Sequence, residues 1–113
     1  MKPPISYEEF AKLDLRVATI TAAREHPNAD KLLLLRIDVD GAGAGAERQI
    51  VAGIRGHYDP AALVGTQVIV LNNLEEALIR GEESSGMLLA AGDGDAVVLL
   101  RPDRPCTPGA RVK

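Results

Sequence analysis

Aromatic residues, cysteine and long apolar runs are scarce in this chain of 113 residues. One Phe, two Tyr and no Trp leave Leu, Val, Ile and Ala to build the hydrophobic core. The single Cys106 excludes a disulfide within the chain and is typical of a reducing compartment. No apolar run approaches the roughly 20 residues of a membrane-spanning helix, and the first residues lack the apolar stretch of a signal peptide. These absences predict a small cytoplasmic domain.

Positive charge is not in excess either. The chain carries 13 basic and 16 acidic residues, for a net charge of −3. Residues 75–95 hold six acids against one base, Arg80, whereas the tail 101–113 is mainly basic. A strong nucleic-acid binder is usually basic as a whole, so charge alone does not point to nucleic acid.

Length and composition predict one globular domain, residues 1–113. The apolar fraction of 46% and the charged fraction of 26% are ordinary for a soluble chain. A domain of this size buries roughly two thirds of its unfolded surface, so its core needs no metal or disulfide. Within it we expect a short helix or turn over 5–12, a barrel over 13–100 and an extended tail over 101–113, packed against the body or a partner.

Alternating apolar residues predict mainly β-strands. The predicted strands, read from period-two alternation, are 13–21 with a bulge at Ile20, 32–40, 48–54, 67–71, 87–91 and 96–100. Ser6 and Glu9 form a capping box for the first helix, and residues 59–65 predict a second, with Asp59 as N-cap. The Gly/Ala run 41–46 is predicted to be a flexible hairpin loop, and 92–95 a hairpin turn.

This order of elements predicts an all-β fold. A five-stranded Greek-key barrel of the oligonucleotide/oligosaccharide-binding (OB) kind fits, with a short helix between strands three and four and an extension at each end. A small β-sandwich fits the same periodicity, and the pattern does not separate the two.

Short motifs for cofactors, metals and catalysis are weak. Gly41-x-Gly43-x-x-Ala46 superficially matches a dinucleotide fingerprint, but a predicted strand follows where that site needs a helix. The two histidines and the cysteine have no metal-ligand spacing, and Ser84 and Ser85 do not form a nucleophile elbow. We therefore predict no cofactor, no metal and no enzymatic activity.

Two longer segments carry a family resemblance. Residues 26–32 (HPNADKL) and residues 73–91, with NL at 73–74 and RGEESSGMLLAA at 80–91, resemble the tRNA-binding domain found at the C-terminus of methionyl-tRNA synthetases and in stand-alone tRNA-binding proteins. The pieces DLRV at 14–17, RQIVAGI at 48–54 and LVG at 63–65 fit in the correct order, so the resemblance covers roughly residues 8–100. It implies an OB-fold barrel that docks on the outer elbow of folded tRNA.

The composition suits that mode of binding. Barrels that bind single strands stack bases on several aromatic side chains, of which this chain offers only Tyr7, Phe10 and Tyr58. Recognition through phosphates, 2′-hydroxyls and backbone shape needs few aromatics.

The resemblance also implies roles for particular residues. Lys31 would contact a phosphate, Asn73 and Ser84 would hydrogen-bond RNA, and Met87 would pack at the edge of the site. The predicted RNA-binding residues are Lys31, Arg36, Arg48, Asn73, Arg80, Ser84 and Met87. Each has a plainer alternative: a solvated lysine, a core methionine, or for Arg80 an ion pair with Glu83 or Glu76.

The chain departs from the family pattern where Glu75 and Glu76 follow Asn-Leu in place of basic residues. Fewer cations release fewer counterions and therefore bind RNA more weakly. Stand-alone relatives are homodimers, so the resemblance implies a homodimer joined through 5–10 and the tail, with avidity offsetting a weak single site. It also implies that the chain assists an aminoacyl-tRNA synthetase in trans.

Two other functions stay open at this point. Similar proteins of this fold act as export-related chaperones that bind extended polypeptide, and an apolar groove around Leu78, Ile79 and Met87 would favour that role. A cluster of Lys31, Arg36, Arg48 and Arg80 on one barrel face would instead favour RNA. The third, weaker alternative is a module that bridges a synthetase to other proteins.

Overall fold

The computed structural model describes residues 1–41 and 47–113. All but the first residue of the predicted loop 41–46 therefore lies outside the described residues. The described part contains two short helices and ten strands. In chain order they are α1 (Tyr7–Phe10), β1 (Leu15–Glu25), β2 (Leu33–Asp38), β3 (Arg48–Ala52), α2 (Pro60–Leu63), β4 (Gln67–Leu71), β5 (Ala77–Ile79), β6 (Glu82–Ser84), β7 (Met87–Leu88), β8 (Ala90–Asp93), β9 (Ala96–Leu99) and β10 (Arg111–Val112).

The main sheet has the strand order β3-β2-β1-β4-β7, and every pairing along it is antiparallel. The segment before β7 also meets the free edge of β3, where the Ser85 amide donates to the Gln49 carbonyl at 2.9 Å. This contact brings the two ends of the five-strand path together and nearly closes the sheet. The all-β barrel with a helix between β3 and β4 is therefore confirmed, and the sandwich alternative is wrong.

Aliphatic side chains fill the barrel, as the lack of aromatics predicts. The largest fully buried side chains are Ile20, Leu33, Leu35, Ile37, Ile50, Ile54, Val68 and Val70. In β2 the alternating residues Leu33, Leu35 and Ile37 all face this core. A register shift between Ile20 and Ala22 confirms the predicted bulge, which lets the long β1 pair with β2 along one half and β4 along the other.

Both predicted helix caps are present. The Ser6 hydroxyl accepts from the Glu9 amide and the Glu9 carboxylate accepts from the Ser6 amide, which confirms the capping box. Asp59 caps α2, with Pro60 at its first turn. Both caps were predicted correctly from the sequence because a cap depends on residues no more than three positions away.

The strand boundaries and the region before β7 need correction. β1 begins at Leu15 and runs to Glu25, beyond the predicted end at residue 21. Residues 77–84, predicted to be part of a polar loop, form the β5–β6 hairpin, and the predicted strand 87–91 is divided between β7 and β8. Polar Glu82 and Glu83 do not show the alternation of a half-buried strand, so periodicity missed this hairpin.

The tail 101–113 packs against the body. Its β10 pairs with the start of β1, and the Gly109 amide donates to the Val17 carbonyl at 2.7 Å. Gln67 forms two hydrogen bonds with the backbone of Cys106, at 2.7 and 2.8 Å. Of the two predicted locations for the tail, the structure shows the body.

Candidate nucleic-acid interface

The four predicted cations do not form one patch. Neighbouring positions on a strand face opposite sides of a sheet, and residues paired in register face the same side. Arg48 pairs with the core residue Ile37, whereas Arg36 pairs with Gln49 and therefore lies on the other side. Arg36 is exposed and bound to Glu47, with an ion pair at 3.8 Å and a bond to its carbonyl at 3.3 Å. Arg48 is half-buried and donates to the Asn72 carbonyl at 3.1 Å. The four cations therefore do not share one barrel face, which is the arrangement that would have favoured RNA.

Asn73 is part of a polar network at the start of β1. Its side-chain oxygen accepts from the Asp14 amide at 2.9 Å, and its side-chain nitrogen donates to the Lys12 carbonyl at 2.7 Å. The amide thus fixes the residues after β4 to the entry of the barrel, and because Asn73 is exposed its RNA contact stays a prediction.

Asp14 is the charged centre of this network. Its carboxylate accepts from the Asn72 side chain at 3.0 Å and from Arg16 Nε at 2.6 Å. The hydrogen bond from Asn72, followed by that from Arg16, lowers the pKa of Asp14 below its ordinary value of 3.8. The network keeps this end of the barrel ordered.

Ser84 also has a structural role. Its side chain is buried, and its hydroxyl accepts from the Val51 amide at 3.0 Å and donates to the Gly86 carbonyl at 3.1 Å. These bonds join β6 to the free edge of β3 and help close the barrel. The predicted RNA contact at Ser84 is corrected for that reason.

Lys31 and Arg80 lie on two loops that touch each other. Asn28, in the turn that carries Lys31, donates from its side chain to the Arg80 carbonyl at 3.3 Å. Both cationic side chains are exposed, and neither forms an ion pair within the described ranges 1–41 and 47–113. The alternative partner Glu76 instead accepts from the Ser85 hydroxyl at 3.1 Å. Two cations are therefore available to a ligand at one edge of the barrel, which we call the cationic edge.

An apolar groove of about 660 Å³ lies beside the cationic edge. Leu32 and Ile79, the chain neighbours of Lys31 and Arg80, are among its lining residues. Met87 also lines it and is 45% exposed, so the core alternative for Met87 is wrong. Leu78 is exposed but does not line the groove, unlike Ile79. The groove gives a ligand apolar contact next to the two charges.

Sequence reasoning missed the residues that hold the cationic edge together. His26 is buried and bonded to the Ile79 carbonyl at 2.9 Å. Arg55 donates to the Ala29 carbonyl at 2.8 Å and pairs with Glu25 at 3.0 Å. The segment 26–32 carried the resemblance, but only its Lys31 was assigned a role, because the partners that join the segment to the rest of the barrel lie more than 25 positions away.

The part of the chain that the structure describes contains neither a candidate metal cluster nor a helix that could cross a membrane. No group of three or more His, Cys, Asp or Glu side chains in that part could hold a metal ion. None of its helices is long and apolar enough to cross a membrane.

The fold and this edge define a small β-barrel that presents two free cations beside an apolar groove. The chain belongs to the tRNA-binding domain family: the family model described as "Putative tRNA binding domain" matches residues 15–111. The family resemblance is thereby confirmed.

The similar curated proteins are much longer than this chain. The methionine–tRNA ligase of Thermococcus kodakarensis is 48% identical over 110 residues, which are 96% of this chain and 14% of the ligase. That of Thermotoga maritima is 50% identical over 109 residues, 96% of this chain and 16% of the ligase. The chain thus spans about one seventh of the length of these relatives.

Similar solved structures include proteins of the same length. A MetRS related protein from Pyrococcus horikoshii matches with a TM-score of 0.87 and 31% identity, covering 99% of this chain and all (100%) of that one. The chaperone CsaA of Bacillus anthracis matches with a TM-score of 0.84 and 29% identity, covering 98% and 100%. The same barrel fold therefore occurs both in a protein related to MetRS and in a chaperone.

Proposed function

We propose that this chain is a non-catalytic module that binds folded tRNA by shape and backbone contacts, with Lys31 and Arg80 as phosphate contacts. The observation that carries the proposal is the cationic edge, where two exposed cations, unpaired among the described residues, lie on loops that are joined by the Asn28 bond. Phosphates dominate nucleic-acid affinity, so free cations are worth more to binding than cations already neutralised. Arg36, bound to Glu47, is a weaker contact for that reason.

The placement of the aromatic residues supports backbone recognition over base stacking. Tyr58 packs against the core and its hydroxyl accepts from the Leu99 amide at 3.1 Å. Tyr7 and Phe10 pack against each other on α1, near the start of β1 rather than at its end beside Lys31. A stacking platform needs aromatics in the groove itself, and no aromatic residue is among those that line it.

The tRNA proposal predicts a salt-dependent loss on charge reversal. Lys31→Glu and Arg80→Glu should each weaken binding of bulk folded tRNA and reduce the slope of log K against log salt by roughly one. The measurement is a titration at several salt concentrations. Lys113→Glu is the matched control, because Lys113 is exposed and follows Val112, which pairs with Leu15 at the opposite end of β1. Unchanged affinity in both test variants would rule out this site.

The proposal extends to partners. A module that holds tRNA assists an aminoacyl-tRNA synthetase in trans, in the cytoplasm where both occur. Similarity to methionine–tRNA ligases and to the MetRS related protein supports this partner. A homodimer would present two copies of the cationic edge and raise affinity through avidity.

Capture of unfolded polypeptide is the second candidate function. The apolar groove beside Met87 favours it, as does similarity to CsaA chaperones. The same titration should include an unfolded polypeptide client. Salt-sensitive tRNA binding without polypeptide binding supports the first proposal, whereas polypeptide binding without tRNA binding, even at low salt, supports the second.

A further inference from the structure

The tip of the β5–β6 hairpin has an unusual backbone. Arg80 and Gly81 connect the paired residues Ile79 and Glu82, with φ values of 54° and 89°. Positive φ at both central residues defines a type I′ turn, whose first position favours Asn, Asp or Gly. An arginine there is strained, and such strain persists only where surrounding contacts hold it.

His26 supplies one of those contacts. Its Nδ1 accepts from the Asn28 amide at 2.9 Å and therefore carries no proton. The neutral ring then holds its proton on Nε2, which donates to the Ile79 carbonyl at 2.9 Å. The carbonyl immediately before Arg80 is thereby fixed by a buried side chain.

Asn28 supplies the other contact. Its side-chain nitrogen donates to the carbonyl of Arg80 itself at 3.3 Å. The same nitrogen lies 3.9 Å from the position that a Cβ on Gly81 would occupy. Both peptide groups that flank the Arg80 side chain are thus held from one turn.

Arg55 fixes that turn from the other side. Its guanidinium donates to the Ala29 carbonyl at 2.8 Å, and its amide donates to the Lys31 carbonyl at 3.3 Å. The turn is therefore bound to the barrel as well as to the hairpin, and it cannot follow a freely moving hairpin tip.

We propose that His26 and Asn28 are positioning residues that hold the Arg80 backbone in its left-handed conformation, so that its side chain leaves the turn in a fixed direction for a phosphate before RNA arrives. The inference rests on the proposed function, since it assigns a purpose to the Arg80 conformation within the tRNA site. Pre-ordering reduces the conformational entropy lost on binding, which a site with few cations needs.

A double-mutant cycle tests this inference with bulk folded tRNA. Arg80→Gly removes the charge while keeping a residue that adopts positive φ freely, and should weaken binding roughly five- to eightfold at 0.1 M salt with a slope smaller by about one. Asn28→Ala should weaken binding in the same direction and reduce the slope. In the Arg80→Gly background Asn28→Ala should have no further effect, because the group that it positions is absent.

His26 is tested with a conservative pair. A Gln side chain at position 26 places its amide nitrogen near the position of the histidine Nε2, whereas the shorter Asn side chain reaches only as far as Nδ1. His26→Gln should therefore retain more affinity than His26→Asn. Thermal unfolding of every variant separates a binding defect from a folding defect, and Asn28 is exposed, so its truncation leaves the core intact.

The outcomes separate the two proposals. No effect of Arg80→Gly on affinity would refute the tRNA site at Arg80. If Arg80→Gly weakens tRNA binding as expected but Asn28→Ala keeps the wild-type affinity and slope, the positioning role alone is overturned. An equal loss from Asn28→Ala in both backgrounds would also overturn it, since Asn28 would then act independently of Arg80.

Discussion

Asp14, the residue before β1, makes a pH-dependent contribution to the stability of this barrel. Asp14 receives hydrogen bonds from Asn72 and Arg16, and these lower its pKa. A depressed pKa means that the folded state favours the ionised form more than the unfolded state does. Its contribution to stability is complete well above pH 3.8 and is lost as the pH falls through the lower folded-state pKa.

Asp14→Asn should accordingly lower the free energy of unfolding by about 1 kcal/mol at pH 7, a modest value because the side chain is 30% exposed. Denaturant titration should show that this difference shrinks between pH 7 and a pH well below 3.8, because protonation removes the charge of the wild-type carboxylate. Asp103→Asn is the control, because that ion pair is 84% exposed on the Asp side and should contribute little. A difference that is the same at both pH values would contradict the assignment to the ionised carboxylate.

Gly86 shows why a residue's role can depend on distant backbone. A Cβ at Gly86 would lie 2.9 Å from the Leu71 carbonyl oxygen, and the residue has a φ of 119°. It stands where the chain passes from the edge of β3 to β7. The sequence shows only a glycine after two serines, because the close approach is to a residue 15 positions earlier.

At the scale of elements, features that depend on neighbouring residues could be predicted from the sequence, whereas features that depend on long-range pairing could not. The caps of α1 and α2 and the alternation in β2 were predicted correctly, since each depends on residues within a few positions. The β5–β6 hairpin was missed because its turn uses Arg80, an atypical residue held by His26 and Asn28 from a distant loop. The structural hydrogen bonds of Asn73 and Ser84 were missed for the same reason, since their partners lie far along the chain.

The part of the tail around Cys106 is held by one distant side chain. Gln67 holds both backbone groups of Cys106. Gln67→Ala should release this segment and increase the rate at which a thiol reagent labels Cys106, which is half-buried in the wild type. Gln49→Ala, which removes a side-chain bond elsewhere in the barrel, is the control and should leave the labelling rate unchanged. Equal rates in wild type and Gln67→Ala would show that these bonds do not protect the thiol.

At the scale of the whole molecule, the N-terminal segment is the candidate interface of the proposed homodimer, because its large apolar residues are exposed. Ile5, Tyr7 and Leu13 are 62%, 79% and 44% exposed. The tail, which is the other predicted interface segment, is instead bonded to the barrel. Large exposed apolar residues that lie close together favour association.

Ile5→Glu together with Tyr7→Glu should therefore shift the protein from dimer to monomer by light scattering, because charges would be buried in the interface. These substitutions avoid deleting the tail, which would remove β10 from the sheet. Val64→Glu is the control at an exposed apolar residue beside α2 (53% exposed). A variant that stays dimeric would exclude the N-terminal segment as the interface.

The pattern of aliphatic residues was sufficient to predict an all-β fold and its core, because burial of alternate side chains is set by the period of the strand itself. The choice of a barrel over a sandwich was decided by the tertiary contact that joins the segment before β7 to β3. The family followed from short segments in a fixed order. Which polar residues face a ligand was decided only by folding, since an exposed Lys31, a buried Ser84 and a bonded Asn73 look alike in one dimension. Hydrogen bonds between residues about 30 to 60 positions apart selected among them, and those bonds exist only once the barrel has closed.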